Sequence, residues 1–466
     1  MIDKIFKAYD VRATTPNPLN EEAAWKVGYG AAQYLKRSRQ NLPTEFLVPM
    51  EDTMVIGRDM RPSSPSLAKS LADGIRATGM NVIDIGMVDT SMIYFAINHL
   101  DCVGGIMVTA SHNPIEYNGF KISGPKAKPI GSASGLDDIK RIAVQLRLGQ
   151  GSHTGLSGRY EQRDLWKPYK QHVLGFLDLK RPLRVAIDAS NGMAGKMIPA
   201  IFNGQINLEI IPVLFEITGS FTHDPNPLVE SNLDMLKEQM RASKPDLGAC
   251  FDGDADRCMF LDEQAQVLGC DWVTALLARD FLEMPGNAGS AIVYDLRSSH
   301  VVADEVKAAG GVPRRDRVGH AFIKRTMAEQ KAVFGGELSG HFYFRDNFYA
   351  DSAAIAFARL LSILSAQPKP LSALIQPLRR YSQSGEINFQ IEDKDAKIRE
   401  LADMNRKAHI DYLDGITVDG GDWWFNVRKS NTEPLLRLNL EARTPELLAQ
   451  KMGDVKKILG EPIHGH

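Results

Sequence analysis

Paired cysteines, net charge and long apolar runs are all scarce in this chain. The four cysteines, Cys102, Cys250, Cys258 and Cys270, include no CxxC pair and no zinc spacing. They argue against a disulfide framework and fit structural thiols that fill core space in a reducing compartment. The formal net charge is −2 over 466 residues, so there is no bulk attraction to nucleic acid or to an anionic membrane, and any anion must be held by local groups. The first residues, Met1-Ile2-Asp3-Lys4-Ile5-Phe6, lack the apolar core of a signal peptide. The most apolar long stretch, Ala353 to Leu364, is short for a membrane span and contains Arg359, so it reads as a buried helix. No GxSxG elbow points to acyl transfer. The expectation is a cytoplasmic protein without nucleic-acid or membrane partners.

Hydrophobic content of 44% and charged content of 24% can build large buried cores, and the length predicts about three or four domains. The first third alternates helix and strand. Asn20 with Glu21 and Glu22 caps a helix to about Lys36, Val55 to Asp59 is a short strand, and Ser64-Pro65 opens a helix closed by Gly79. Asn81 to Ile85 is a strand, Ser91 to Leu100 a helix, and Gly105 to Val108 a strand. The order recurs from Val185 and again from Ile292. Each copy ends a late strand in a polar loop: Thr109-Ala-Ser111-His112-Asn113-Pro114, then Asp252-Gly-Asp254-Ala-Asp256-Arg257, then Glu337-Leu-Ser339-Gly-His341. We predict three related α/β units with mostly parallel sheets, ligands sitting at the carboxyl ends of strands. Beyond about Ser382 the pattern changes. Leu436, Leu438 and Leu440 alternate with Arg437, Asn439 and Glu441, the period of a half-exposed strand, and helices are expected at Asp393 to about Lys407 and Pro445 to about Leu459. The predicted domains are 1–155, 156–266, 267–380 and a smaller α+β domain at 381–466.

Asp252, Asp254 and Asp256 stand at alternate positions, and three carboxylates this close repel by about 4 kcal/mol per pair at about 4 Å and a dielectric near 20. A cation resolves the conflict, and hard carboxylate oxygens select Mg²⁺ or Ca²⁺. Glu263 falls at position twelve of an EF-hand loop, but position six is Arg257 where that loop needs glycine, and an apolar strand precedes it, which excludes that motif. A metal-bound Ser111 oxygen with Lys121 and His112 nearby suits phosphoryl transfer, whose demands are positioning and charge neutralisation. A phosphoryl group on Ser111 would add about −2 to three aspartates, a sum of about −5 of which one Mg²⁺ leaves about −3. Arg257, Lys121 and Arg12 are cations of the kind such a site requires.

Phe6-Lys-Ala-Tyr9-Asp10-Val-Arg12, the Ser111 loop, Asn118-Gly119-Phe-Lys121, the acidic loop, Gly336-Glu337-Leu-Ser339-Gly-His341 and Arg428-Lys-Ser430-Asn431-Thr432-Glu-Pro434 together resemble the α-D-phosphohexomutases, in their bacterial phosphomannomutase/phosphoglucomutase branch. The resemblance spans nearly the whole chain in family order. It implies a four-domain enzyme around a central cleft, a phosphoserine at Ser111, and Mg²⁺ held by Asp252, Asp254, Asp256 and that phosphoserine. It also implies reversible exchange of hexose 1-phosphate and hexose 6-phosphate through a 1,6-bisphosphosugar that reorients, with glucose or mannose 1,6-bisphosphate as activator. By the same resemblance Lys121 and His341 are the candidates for acid and base, with Arg12 near the transferred phosphate; His112 and Arg257, beside Ser111 and the acidic loop, complete the expected catalytic set. Glu337 and Ser339 contact the sugar 3- and 4-hydroxyls, and Tyr9, Arg297 and His320 bind substrate. Arg428, Ser430, Asn431 and Thr432 hold the other phosphate, a role that a guanidinium beside small hydroxyl and amide groups also suits on its own chemistry.

Two departures stand out. Ala13 and Thr14 follow Arg12 where the family usually has glycine, which would restrict the backbone there, and Arg297 stands where many members place lysine. Glu-Leu-Ser in the sugar loop favours glucose and mannose phosphates over glucosamine phosphate. A site reading only the 3- and 4-hydroxyls leaves the 2-epimers undistinguished, so dual specificity is expected. A phosphoglucosamine mutase, a metal-dependent sugar phosphatase and a non-catalytic sugar-phosphate sensor remain the alternatives. A monomer is expected, a dimer left open.

Overall fold

A computed structural model describes residues 2–40, 52–146, 157–430 and 435–463. The chain forms two compact units, Met1–Leu268 with Ser339–Ser372, and Gly269–Leu338 with Ala373–His466.

In the first unit, six strands form one sheet: β1 (Val11–Thr14), β2 (Thr53–Arg58), β3 (Asn81–Met87), β4 (Gly104–Val108), β5 (Tyr117–Ser123) and β6 (Tyr160–Gln162), in the order β1-β5-β4-β2-β3-β6. β2 runs parallel to β3 and β4, whereas β5 is antiparallel to β4 and β1. β4 is buried along its length, as an apolar run in a sheet covered on both faces should be. β6, placed by the sequence beyond the first predicted domain, instead extends the edge of the first sheet. It is only three residues long and exposed throughout, so no apolar pattern marks it.

The helices α1 (Glu21–Gln40), α2 (Ser64–Arg76) and α3 (Thr90–His99) belong to this sheet. Asn20 caps α1 by accepting Ala23 N at 3.0 Å. The other two starts differ from the expected ones. Ser63 holds the cap position of α2 without a side-chain capping bond, while Ser64 turns inward and donates to the buried Asp59. α3 begins one residue early, capped by Asp89, which accepts Met92 N.

A second sheet holds β7 (Leu183–Asp188), β8 (Leu208–Val213), β9 (Leu247–Phe251) and β10 (Cys258–Asp262), in the order β10-β9-β7-β8. β7 is parallel to both neighbours, and β9 and β10 form an antiparallel hairpin pairing Phe251 with Cys258. The helix Ala353–Ser365 is buried, and its Phe357 meets Phe202 and Phe251 edge-on. The four cysteines are free and buried, as expected.

Residues 214–229, after β8, carry no helix or strand. They are pinned by His223, whose Nε2 lies 3.1 Å from Asp188 Oδ2. Burial alone would lower the His223 pKa, but the Asp188 carboxylate outweighs it and raises the value. The stabilisation is therefore complete below the unfolded pKa of about 6.5 and fades as pH rises through the higher folded value. His223→Asn should shift the urea midpoint clearly at about pH 5.5 and little at about pH 9; an equal shift at both would contradict this.

In the second unit, β11 (Ala291–Asp295) lies between β12 (Val312–Asp316) and β13 (Phe334–Gly336), both parallel to it. β14 (Phe342–Phe344) and β15 (Ala350–Asp351) form an antiparallel pair in the first unit. The C-terminal sheet comprises β16 (Ser382–Gln390), β17 (His409–Asp411), β18 (Ile416–Asp419), β19 (Trp423–Lys429) and β20 (Leu435–Ala442). Its order is β16-β20-β19-β18-β17, antiparallel throughout, and the helices Lys394–Met404 and Pro445–Leu459 accompany it. The fold is thus three α/β units with mixed sheets and an α+β unit.

The half-exposed reading of β20 needs correction. Asn439 and Glu441 are 5% and 1% exposed. Glu441 Oε1 accepts His300 N at 3.0 Å and Trp424 Nε1 at 2.8 Å, so Glu441 is buried because donors meet it. Among the described residues no helix is long and apolar enough to cross a membrane.

Candidate active site

β4 delivers Ser111 to the carboxyl end of the first sheet. Ser111 is 4% exposed and has φ +51°, a left-handed conformation that costs a non-glycine residue about 1–2 kcal/mol. Its amide donates to Thr109 Oγ1 at 2.9 Å, and its hydroxyl to Asp252 Oδ2 at 2.8 Å. The two loops touch so closely that a Cβ on Gly253 would lie 2.5 Å from the Ser111 carbonyl oxygen, which only glycine allows.

The three aspartates occupy the tight turn between β9 and β10. All are buried, and one oxygen from each lies within 4.8 Å of the others. Two cations offset part of their charge. Arg257 Nε donates to Asp252 Oδ2 at 2.9 Å and its Nη2 to Ser111 Oγ at 3.3 Å. Lys121, opposite Met107 in the β4–β5 ladder, bonds Asp254 Oδ2 at 2.7 Å and also Asp256 Oδ2. Burial works against the Lys121 charge, yet Asp254 and Asp256 prevail and raise its pKa. The Asp252 pKa is raised too, here by burial, which lifts its carboxyl to about 7 against the pull of Arg257. The three carboxylates outnumber the two cations, the buried Asp254 Oδ1 accepts no hydrogen bond, and Asp256 Oδ1 has only His341 Nε2 at 3.5 Å. Such under-satisfied hard oxygens in a convergent set suit a divalent cation.

The remaining first-unit residues surround this centre. Arg12 Nη1 donates to Asn113 Oδ1 at 2.7 Å and its Nη2 bonds Asp10. Ala13 and Thr14 simply continue β1 opposite Asn118 and Tyr117, and neither has a positive φ, so the missing glycine imposes no strain. Tyr9 lies in the turn closed by Lys7 N and Asp10 O. The positive charge of Arg257, followed by burial and Arg12, drives the His112 pKa well below the ordinary value, which keeps that imidazole neutral. His341 Nδ1 is 3.0 Å from Ser339 Oγ, and its Nε2 is 3.5 Å from Asp256 Oδ1. One contributor had no sequence signal: Thr90, at the start of α3, donates to Asp254 Oδ2 and its amide to the Asp254 carbonyl.

The second unit holds its own polar cluster. Arg297 grips Asp295 through Nε at 3.2 Å and Nη2 at 2.8 Å, so the guanidinium is held in a fork that a lysine could not match. Arg428 faces Arg437 across the β19–β20 pair. Glu386 relieves this like-charge contact, accepting from Arg428 Nη2 at 2.8 Å and Arg437 Nη1 at 3.2 Å, with Arg297 Nη1 at 3.8 Å. Burial, then the neighbouring Arg297, lowers the Arg428 pKa, and its Nε is buried without a partner. Glu386 carried no motif. Glu337 accepts Gly319 N at 2.8 Å, directly before His320 at the start of the helix His320–Gln330. Ser430 N bonds the Leu435 carbonyl at 3.0 Å; Asn431 and Thr432 lie outside the described residues.

Comparison with known proteins agrees along the chain. Residues 3–147, 167–266 and 270–381 match the phosphoglucomutase/phosphomannomutase alpha/beta/alpha domains I, II and III, and residues 386–458 match the C-terminal domain. A phosphomannomutase of Escherichia coli K12 is 38% identical over 94% of both chains. A Xanthomonas campestris protein described as phosphohexose mutases is 36% identical over 97% of this chain and 98% of its own. A Burkholderia thailandensis phosphoglucomutase/phosphomannomutase family protein superposes with TM-score 0.87 at 32% identity, covering 98% of this chain and 97% of that one. Motifs, sheets and full-length similarity coincide, and the chain belongs to the phosphoglucomutase/phosphomannomutase family.

Proposed function

We propose that this enzyme reversibly interconverts hexose 1-phosphates and hexose 6-phosphates, of mannose and glucose alike, through a phosphoserine at Ser111 and a bound 1,6-bisphosphosugar. The observation that carries the reading is the buried Ser111 hydroxyl, hydrogen-bonded to Asp252 of the acidic triad and to Arg257, with the Lys121 ammonium on Asp254.

Asp252, Asp254, Asp256 and the Ser111 oxygen would hold Mg²⁺, which when bound supplies charge neutralisation to the phosphoryl group. The chain's own residues do the rest. Arg257 orients the Ser111 oxygen, and Lys121 adds positive charge where the phosphoryl group would stand. The phosphoryl group passes from Ser111 to a sugar hydroxyl, whose proton must leave; His341 and Lys121 are the groups we assign to carry protons in the two directions. Transfer of the other phosphate back to Ser111 completes the cycle. If the intermediate escapes, glucose or mannose 1,6-bisphosphate rephosphorylates Ser111 and so acts as activator. Arg12 and His112 are assigned to the transferred phosphate. Tyr9, Arg297 and His320 are assigned to substrate, Glu337 and Ser339 to the 3- and 4-hydroxyls, and Arg428, Ser430, Asn431 and Thr432 to the phosphate not being transferred.

A site that hydrogen-bonded the 2-hydroxyl would reject the epimer by about 10⁴-fold or more. Contacts to the 3- and 4-hydroxyls alone leave kcat/KM for mannose 1-phosphate and glucose 1-phosphate within about 10-fold of each other. Steady-state kinetics on both sugars, with glucosamine 1-phosphate alongside, checks this. Preference for glucosamine 1-phosphate, or release of inorganic phosphate without isomerisation, would overturn it.

A further inference from the structure

Arg61 is 1% exposed, yet nothing assigned so far uses its charge. Its guanidinium has five N–H groups, and all are occupied. Nε donates to Asp59 Oδ2 at 3.1 Å. Nη1 donates to the carbonyls of Pro114 at 2.6 Å and Tyr117 at 2.9 Å, and Nη2 to those of Ser111 at 2.8 Å and Asn113 at 2.7 Å. Four of the five donors thus close on carbonyls of the single loop that carries the phosphoryl-accepting hydroxyl.

The anchor is rigid on its other sides. Asp59, 0% exposed, accepts the Arg61 amide at 3.0 Å as well as Nε and Ser64 Oγ. Ser64 in turn accepts Asn118 Nδ2 at 2.9 Å, and Ser63 accepts the same amide at 2.8 Å. The Phe221 ring, from residues 214–229, lies 5.3 Å from the guanidinium carbon, so a cation–π contact covers the face of the plane. Ser111 keeps its positive φ while its carbonyl is gripped from one side and approached by Gly253 from the other.

We infer that Arg61 is the positioning residue of the serine loop: by binding the carbonyls of Ser111, Asn113, Pro114 and Tyr117 together, it holds Ser111 in the strained conformation that points Oγ at Asp252. Its guanidinium bonds go to Asp59 and these carbonyls, and none goes to the three aspartates. The planar fork with five donors is what the task needs, since lysine brings three donors and no plane. A displacement of about 1 Å at a reacting atom can cost about 10²-fold in rate. The loop's geometry then matters for the transfer step and little for sugar-phosphate binding, which other residues perform.

The inference rests on the phosphoserine reading, and the test separates the two. Arg61→Lys, which keeps a cation beside Asp59, and the paired Asp59→Asn/Arg61→Gln, which buries no lone charge, are compared with wild type and with Ser111→Ala, as full-length chains with Mg²⁺. The measurements are kcat and KM for mannose 1-phosphate, the melting temperature, and the rate at which glucose 1,6-bisphosphate phosphorylates the protein. The expected result is a fall of about 100-fold in kcat, a matching fall in phosphorylation rate, and KM within about 3-fold of wild type, at a temperature where the variants are folded. Wild-type kcat in Arg61→Lys, or a loss expressed in KM with kcat kept, would overturn the inference. Should Arg61→Lys not fold, the paired variant decides; should neither fold, Arg61 is a folding determinant and the inference fails. Persistent turnover in Ser111→Ala would instead sink the phosphoserine reading itself.

Discussion

Ser111→Ala should lose mutase turnover by about 10³-fold or more while retaining affinity for hexose phosphates. The substitution deletes one buried oxygen and little else. Asp252 keeps its Arg257 partner, and the loop keeps its backbone bond from Asn113 N to the Ala110 carbonyl. What disappears is the atom we propose to accept and return the phosphoryl group. Steady-state kinetics with a calorimetric titration of mannose 1-phosphate would separate the two quantities. Turnover within about 10-fold of wild type would mean that the phosphoryl group travels by another route.

The second large effect is expected at Lys121. Its ammonium is shared by Asp254 and Asp256, both buried. Lys121→Met leaves two buried carboxylates without that counter-ion, a situation that costs about 3–5 kcal/mol when one partner of a buried pair is removed. Divalent cation binding to the native state recovers part of it by mass action. The variant should therefore melt well below wild type in a chelator, and Mg²⁺ should raise its melting temperature more than it raises that of wild type. If Lys121 also carries a proton in the transfer, kcat falls by about 10²–10⁴ in addition. Equal melting temperatures of the two proteins in chelator would contradict the charge balance described for the site.

What could be read from the sequence follows the range of the interactions. The acidic triad is legible because its members sit within five residues, so spacing and charge repulsion together call for a cation. Ser111 and Lys121 are legible as motif residues, although the ladder that brings Lys121 opposite Met107 is not. Thr90, Glu386 and Arg61 left no signal. Thr90 meets Asp254 across 164 positions of sequence, and Arg61 meets Ser111 across 50. A short polar side chain gives no hint of a partner so distant.

Local rules failed for similar reasons. Ser64 is a good capping residue by type, but the buried Asp59 claims its hydroxyl and the cap position falls to Ser63. β20 alternates like a half-exposed strand, yet Glu441 is buried because the amide of His300 and the indole of Trp424 satisfy it. Alternation reports which face is polar; tertiary packing decides whether that face is wet. The edge strand β6 escaped because three exposed residues carry no period.

The central claim is that Ser111 carries the phosphoryl group. Its most direct test is peptide mass spectrometry of the full-length protein after incubation with glucose 1,6-bisphosphate and Mg²⁺. A phosphorylated peptide with the modification on Ser111, lost on chase with excess hexose monophosphate, is the predicted result. An unmodified Ser111 under those conditions, in a protein that still isomerises mannose 1-phosphate, would contradict it.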